Sequence, residues 1–179
     1  FRLAGCDRAA KSSGMTSDAR QITLCLPDAE ATRRLAERIA PLLRPGDVLL
    51  LDGPIGAGKT HFCRSLIQAR LATEGRAEDV PSPTFTLVQT YLAGGTEIWH
   101  ADLYRLSQPD EITELGLEQA FDEAICLVEW PDRLGPLRPP HAMVVTLTPD
   151  PVSDARKAVF AGDADHWSGV FHALEMADD

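Results

Sequence analysis

The sequence predicts an α/β fold, on three observations. Asp47–Asp52 is a continuous apolar run, the pattern of a strand buried on both faces of a sheet. A glycine-rich turn follows it and leads directly into a helical segment. Segments of strand period and of helical period then alternate along the chain. Length and composition agree: 179 residues suit about one domain, and 44% hydrophobic with 25% charged residues is ordinary for a globule with a core.

The elements follow in order. Residues 1–19 lack any apolar period and read as a flexible leader, with Met15 a candidate start; residues 20–179 read as a single domain. Ile22, Leu24 and Leu26 alternate with polar residues as a half-buried strand. Asp28 can cap a helix over 29–43, where Ala31, Leu35, Ile39 and Leu42 recur at helical spacing, and Pro45-Gly46 ends it. After the strand at Asp47–Asp52 and the glycine turn, a helix is expected from Lys59 to Leu71. Phe85–Tyr91 and Thr96–Ala101 read as a hairpin about Gly94-Gly95. Ser107 can cap a helix beginning near Pro109; Gly116 interrupts it, and a short helix through Phe121 follows. Ile125–Glu129 is a second buried strand. Prolines at 131 and from 136 to 140 mark a loop, Ala142–Leu147 and Lys157–Ala161 read as strands, and Trp167, Val170, Phe171 and Leu174 form a last amphipathic helix.

Charge and cysteine usage exclude several classes. The formal net charge is −10, a poor match for unaided nucleic-acid binding, which needs a basic surface. No apolar run approaches the roughly 20 residues of a membrane helix, and no secretory signal is visible. Cys6, Cys25, Cys63 and Cys126 form no C-x-x-C pair; they read as reduced thiols of a cytoplasmic protein, with Cys25 and Cys126 buried in strands. The acidic C-terminal stretch reads as solvated surface.

Gly53-Pro-Ile-Gly-Ala-Gly-Lys-Thr60 fits G-x-x-x-x-G-K-[ST], and at about 7% glycine such a match arises by chance on the order of once in a hundred chains of this length. The chemistry explains the spacing. Gly53, Gly56, Ala57 and Gly58 let backbone N–H groups curl around phosphate oxygens, and the following helix aims its positive end at them. Lys59 reaches the outer phosphates, and the Thr60 hydroxyl can bind Mg²⁺. The chain contains no asparagine, so the N-K-x-D guanine signature is absent and ATP is the expected nucleotide.

A metal-bound triphosphate needs a carboxylate at a strand end. Two qualify: Glu129, after Ile125–Val128, and Asp102, after Ile98–Ala101. His100 reads as a strand histidine satisfied in the core. Trp130 lies beside Glu129, and Ser82-Pro83-Thr84 reads either as a turn or as a switch segment sensing the γ-phosphate.

Taken together, Gly53–Thr60, Ser82-Pro-Thr-Phe-Thr-Leu-Val88, His100-Ala-Asp-Leu-Tyr-Arg-Leu106, Leu115-Gly-Leu117 and Val128-Glu-Trp-Pro131 occur in one order that resembles the TsaE (YjeE) family, bacterial ATPases of tRNA threonylcarbamoyladenosine biosynthesis. The resemblance covers about residues 20–150. It implies a P-loop NTPase-like three-layer fold with a mixed β-sheet and a site for ATP and Mg²⁺. It implies that Thr60 and Glu129 contact the metal and that Asp102 is the other essential carboxylate. Ser82-Pro83-Thr84 would belong to the switch, Trp130 would face the nucleotide or a partner, and Thr32 would approach the nucleotide from the first helix. It implies TsaB and TsaD as partners, contact with tRNA only through them, and hydrolysis that supports modification of the adenosine beside the anticodon. Pro54-Ile55 and His61 depart from the family's commoner residues without removing a phosphate or metal contact. The alternative is a P-loop small-molecule kinase; it would need an arginine-bearing lid, and only Arg133, Arg138 and Arg156 follow Glu129.

Overall fold

A computed structural model describes residues 18–177. The leader expected over 1–19, with Met15 and Cys6, lies outside the described residues except for its last two positions, and so do Asp178 and Asp179. The first strand, β1, already begins at Ala19 and runs to Leu26; helix α1 spans Ala29–Ile39. β2 is Val48–Asp52 and α2 is Lys59–Ala72. β3 (Val88–Ala93) and β4 (Thr96–Asp102) form the hairpin, followed by α3 (Pro109–Glu114) and α4 (Leu117–Glu123). β5 (Ile125–Glu129), β6 (Met143–Pro149), β7 (Arg156–Asp163) and α5 (Ser168–Glu175) complete the chain.

The strands form one mixed sheet in the order β1-β7-β6-β2-β5-β4-β3. β2 pairs in parallel with β5 and β6, and β4 in parallel with β5. The other pairings are antiparallel. Successive residues of β2 serve opposite faces, as the pleat requires. Leu49 and Leu51 join a core built with α1, α2 and α5, whereas Val48 and Leu50 join one built with α3 and α4. The result is the three-layer arrangement of the P-loop NTPase-like class. Among the described residues no helix is long and apolar enough to cross a membrane.

Local chemistry accounts for the helix ends. The Ala31 N–H donates to Asp28 Oδ1 at 2.7 Å, the cap expected from sequence. Gly116 adopts φ +77 between α3 and α4, a conformation that costs a side-chain-bearing residue about 1–2 kcal/mol. The cap of α3 differs from expectation. Gln108, not Ser107, holds the N-cap position, because the Glu111 carboxylate folds back to accept the N–H groups of both Ser107 and Gln108.

Three further elements differ from expectation. β3 begins at Val88 rather than Phe85: Leu87 takes φ +67 and donates its N–H to Pro83 O, folding 83–87 into a turn. The first helix gives way to a 3₁₀ turn at Ala40–Leu42, where Pro41 cannot donate to the α-helical ladder. Cys25 is exposed, because it sits on the outward face of edge strand β1; Cys63 and Cys126 are buried free thiols, with the Cys126 thiol pushed up to about 12 by burial.

Candidate functional site

The site grows from the C-terminal end of β2. Gly53, Gly56 and Gly58 take φ values of +140, +80 and +101, so all three glycines of the loop occupy the half of backbone space that only glycine enters freely. At Gly53 a β-carbon would collide with the Leu147 carbonyl oxygen, so its absence lets the loop lie against β6. Gly58 occupies the N-cap position of α2, which turns the helix's unpaired N–H groups toward the loop.

Lys59 is only 5% exposed. Its ammonium donates to the Gly53 and Pro54 carbonyl oxygens at 2.5 and 3.0 Å and lies 4.0 Å from the centre of the Trp130 ring. Burial pulls its pKa down, and the charges of Glu129 and Asp102 oppose that. Trp130 itself takes φ +59, an outlier for a bulky residue. Its N–H donates to Leu51 O, and its ring packs on Tyr104 with centroids 4.8 Å apart. Those contacts, with the lysine, offset the strain of that backbone geometry.

Register places the two carboxylates side by side: Asp102 of β4 is the partner of Glu129 of β5. Both are buried. The Thr60 hydroxyl donates to Glu129 Oε2 at 2.9 Å, while Glu129 Oε1 is 2.8 Å from His100 Nε2. His100 and Asp102 are two residues apart on one strand, so they share a face of the sheet, and His100 reaches Glu129 diagonally across the ladder. Cys63 Sγ completes this buried group, and the burial that surrounds it pushes its thiol well above the usual range. Asp102 Oδ1 accepts the Tyr104 N–H at 3.0 Å. Its Oδ2 accepts the Thr84 hydroxyl at 3.2 Å, and Thr84 is 2.7 Å from the Ser82 hydroxyl.

These groups line a cleft of about 370 Å³. Gly56 to Thr60, Thr84, Asp102, Glu129 and Trp130 all face it, together with Ile55, His61 and Tyr104. Gly53 is not among the residues that line it. Thr32 does not line it: the side chain is fully buried in α1, with its hydroxyl donating to Asp28 O at 3.2 Å. The α1 N-terminus is nevertheless tied to the site, because His61 Nε2 lies 2.9 Å from Ala29 O. Sequence reasoning passed over Tyr104 and the role of His100 as a partner of Glu129. The period-two spacing of His100 and Asp102 was the signal that could have found the latter.

Chemically the cleft offers phosphate and metal donors on the same wall. Backbone N–H groups and one ammonium suit phosphate oxygens, and Thr60 with Glu129 offers hard oxygen ligands of the kind Mg²⁺ takes. A glycine loop between a buried parallel strand and a helix, with this Thr–Glu contact to the neighbouring strand, defines a protein of the P-loop NTPase-like class. The chain belongs to the TsaE family. The model of that family, described as threonylcarbamoyl adenosine biosynthesis protein TsaE, matches residues 26–158. The chain is similar to the tRNA threonylcarbamoyladenosine biosynthesis protein TsaE of Rickettsia felis, 43% identical over 124 residues, which are 69% of this chain and 71% of that one. It is 33% identical to the protein of the same name from Haemophilus influenzae over 141 residues, 75% and 85% of the two chains. Among solved structures, YdiB of Bacillus subtilis superposes with a TM-score of 0.73 at 25% identity, covering 92% of this chain and all of that one.

Proposed function

We propose that this chain is a Mg²⁺-dependent ATPase of tRNA threonylcarbamoyladenosine biosynthesis, working in the cytoplasm with TsaB and TsaD. The observation that carries the ATPase reading is the Thr60–Glu129 hydrogen bond at 2.9 Å beside the buried Lys59 ammonium. A buried carboxylate and a hydroxyl held together at the mouth of a phosphate loop fit a hard divalent cation, and the family supplies the pathway.

The residues divide the work. Loop and α2 N–H groups hold the inner phosphate oxygens, and Lys59 exchanges its carbonyl partners for the outer ones. Thr60 and Glu129 would hold Mg²⁺, which would supply charge neutralisation at the phosphates. His100 fixes the second oxygen of Glu129, so the carboxylate keeps one orientation. Asp102 holds Thr84 and with it the turn over 83–87, placing a hydroxyl and a carboxylate where they can orient the attacking water. The absence of N-K-x-D favours adenine over guanine.

The net charge of −10 argues that any contact with tRNA runs through the partner proteins. The test is ATP turnover by the purified chain, alone and with cognate TsaB and TsaD, alongside its own affinity for tRNA. Slow turnover that rises with the partners, and weak tRNA binding at physiological salt, are the expected results.

A further inference from the structure

The phosphate loop has two flanks. Glu129, Asp102 and Trp130 stand on the β5–β4 side. Arg156, the first residue of β7, stands on the other. It pairs with Pro149 at the end of β6, and β6 runs parallel to β2, so this corner of the sheet lies beside the loop that leaves β2. The approach is close. A β-carbon at Gly58 would sit 2.5 Å from Arg156 Nη1 and 3.6 Å from its Cζ, so the guanidinium rests directly on the backbone preceding Lys59.

This guanidinium is poorly satisfied. It carries five N–H donors, yet its single hydrogen bond runs from Nη2 to Asp154 O at 3.2 Å. Nε is buried and has no partner. Among the described residues no carboxylate pairs with Arg156, and its Nε is the one buried arginine donor there without a partner. A buried donor without a partner is costly to the fold, which makes an unpaired guanidinium beside a ligand loop a group with something to bind.

We propose that Arg156 contacts the base of the bound nucleotide. The inference rests on the nucleotide-binding reading above and extends it to the end of the ligand that the sequence motif does not address. Lys59, Thr60 and Glu129 gather the outer phosphates and the metal on one flank. A nucleotide laid along the loop with its outer phosphates there carries its nucleoside end toward the opposite flank. There the planar guanidinium offers a face for stacking on a purine and N–H donors for ring nitrogens. A lysine would offer only a point charge.

The test is calorimetric titration of wild type, Arg156→Ala and Arg156→Lys with two probes, Mg-ATP and inorganic triphosphate with Mg²⁺. Thermal melts of each protein accompany the titrations. The proposal expects Arg156→Ala to weaken ATP binding by roughly 5- to 30-fold and to leave triphosphate affinity within about two-fold of wild type. That unchanged affinity also shows the variant's loop to be intact. Arg156→Lys should recover less than half of the loss in ATP binding free energy. Equal losses for both probes, or full recovery in the lysine variant, would overturn the proposal by showing a loop prop or a phosphate contact. Unchanged ATP affinity in Arg156→Ala would overturn it as well. Wild type that binds neither probe would refute the nucleotide reading itself, and this inference with it.

Discussion

Thr60 donates its hydroxyl to Glu129 at 2.9 Å, joining the first turn of α2 to the end of β5. The bond ties the phosphate loop to the neighbouring strand before any ligand arrives. It holds the two oxygen donors together, and such preorganisation lowers the cost of binding a ligand at that point. Glu129 also holds the His100 ring on its other oxygen, so neither of its oxygens is left to wander.

Glu129→Gln keeps the shape of this junction and removes its charge. ATP turnover should fall by about 10²–10³-fold, with a smaller effect on nucleotide affinity, since electrostatic stabilisation of the transition state is often the largest catalytic term. Steady-state hydrolysis and calorimetry on the same preparation separate the two. Turnover equal to wild type would make Glu129 a structural residue.

Lys59→Ala acts on binding. The lost ammonium contact is worth about 1.5–3 kcal/mol, or roughly 10- to 150-fold in affinity for Mg-ATP. Calorimetry reads this directly, and unchanged affinity would contradict the assignment of the loop.

Asp102→Ala removes the acceptor that holds Thr84 and the Tyr104 N–H. The turn over 83–87 should then exchange its amide hydrogens faster, with β2 and β5 unaffected. Hydrogen-exchange mass spectrometry checks it, and exchange at the wild-type rate would mean that Asp102 does not anchor that turn.

Gly58→Ala places a side chain at φ +101 and against Arg156. The strained backbone alone costs about 1–2 kcal/mol, which lowers Tm by roughly 2–8 °C in a domain of this size. A thermal melt at neutral pH shows it. An unaltered Tm would mean that the loop relaxes freely around the new methyl group.

The cap of α3 gives stability a pH dependence. The N–H groups of Gln108 and Ser107 hold the Glu111 carboxyl below its usual range. The folded pKa therefore lies under the unfolded one. The contribution is fully present above the unfolded value, about 4.3, and is lost as pH falls through the folded value. Glu111→Gln should lower Tm at neutral pH, and the difference from wild type should shrink on acidification. A gap independent of pH would show that the carboxylate charge plays no part.

Much of this site was legible because its signals are local. The apolar run of β2, the glycines and Lys59-Thr60 lie in one stretch of chain, and Glu129 ends a second apolar run. What the sequence hid is tertiary. The left-handed backbone of Leu87 and Trp130 carries no glycine to announce it, and the Asp102 N–H meets Leu87 O only once β3 and β4 have paired. The outward face of Cys25, by contrast, follows from the period of β1, since Cys25 stands between the inward Leu24 and Leu26. Arg156 opens a strand far along the chain, and its approach to Gly58 depends on a parallel pairing of β2 with β6 that no local pattern encodes. Thr32 shows the converse: its placement by family resemblance does not bring it to the cleft wall, because its helix face is buried.

The central claim is that this chain hydrolyses ATP for a tRNA-modifying assembly. The most direct measurement is the rate of ATP hydrolysis by the purified protein as cognate TsaB and TsaD are added, followed by phosphate release. The account predicts slow hydrolysis by the chain alone, a rise on adding the two partners together, and loss of that rise in Glu129→Gln. Full-speed hydrolysis by the lone chain, indifferent to both partners and raised by a small metabolite acceptor, would contradict it and establish a kinase instead.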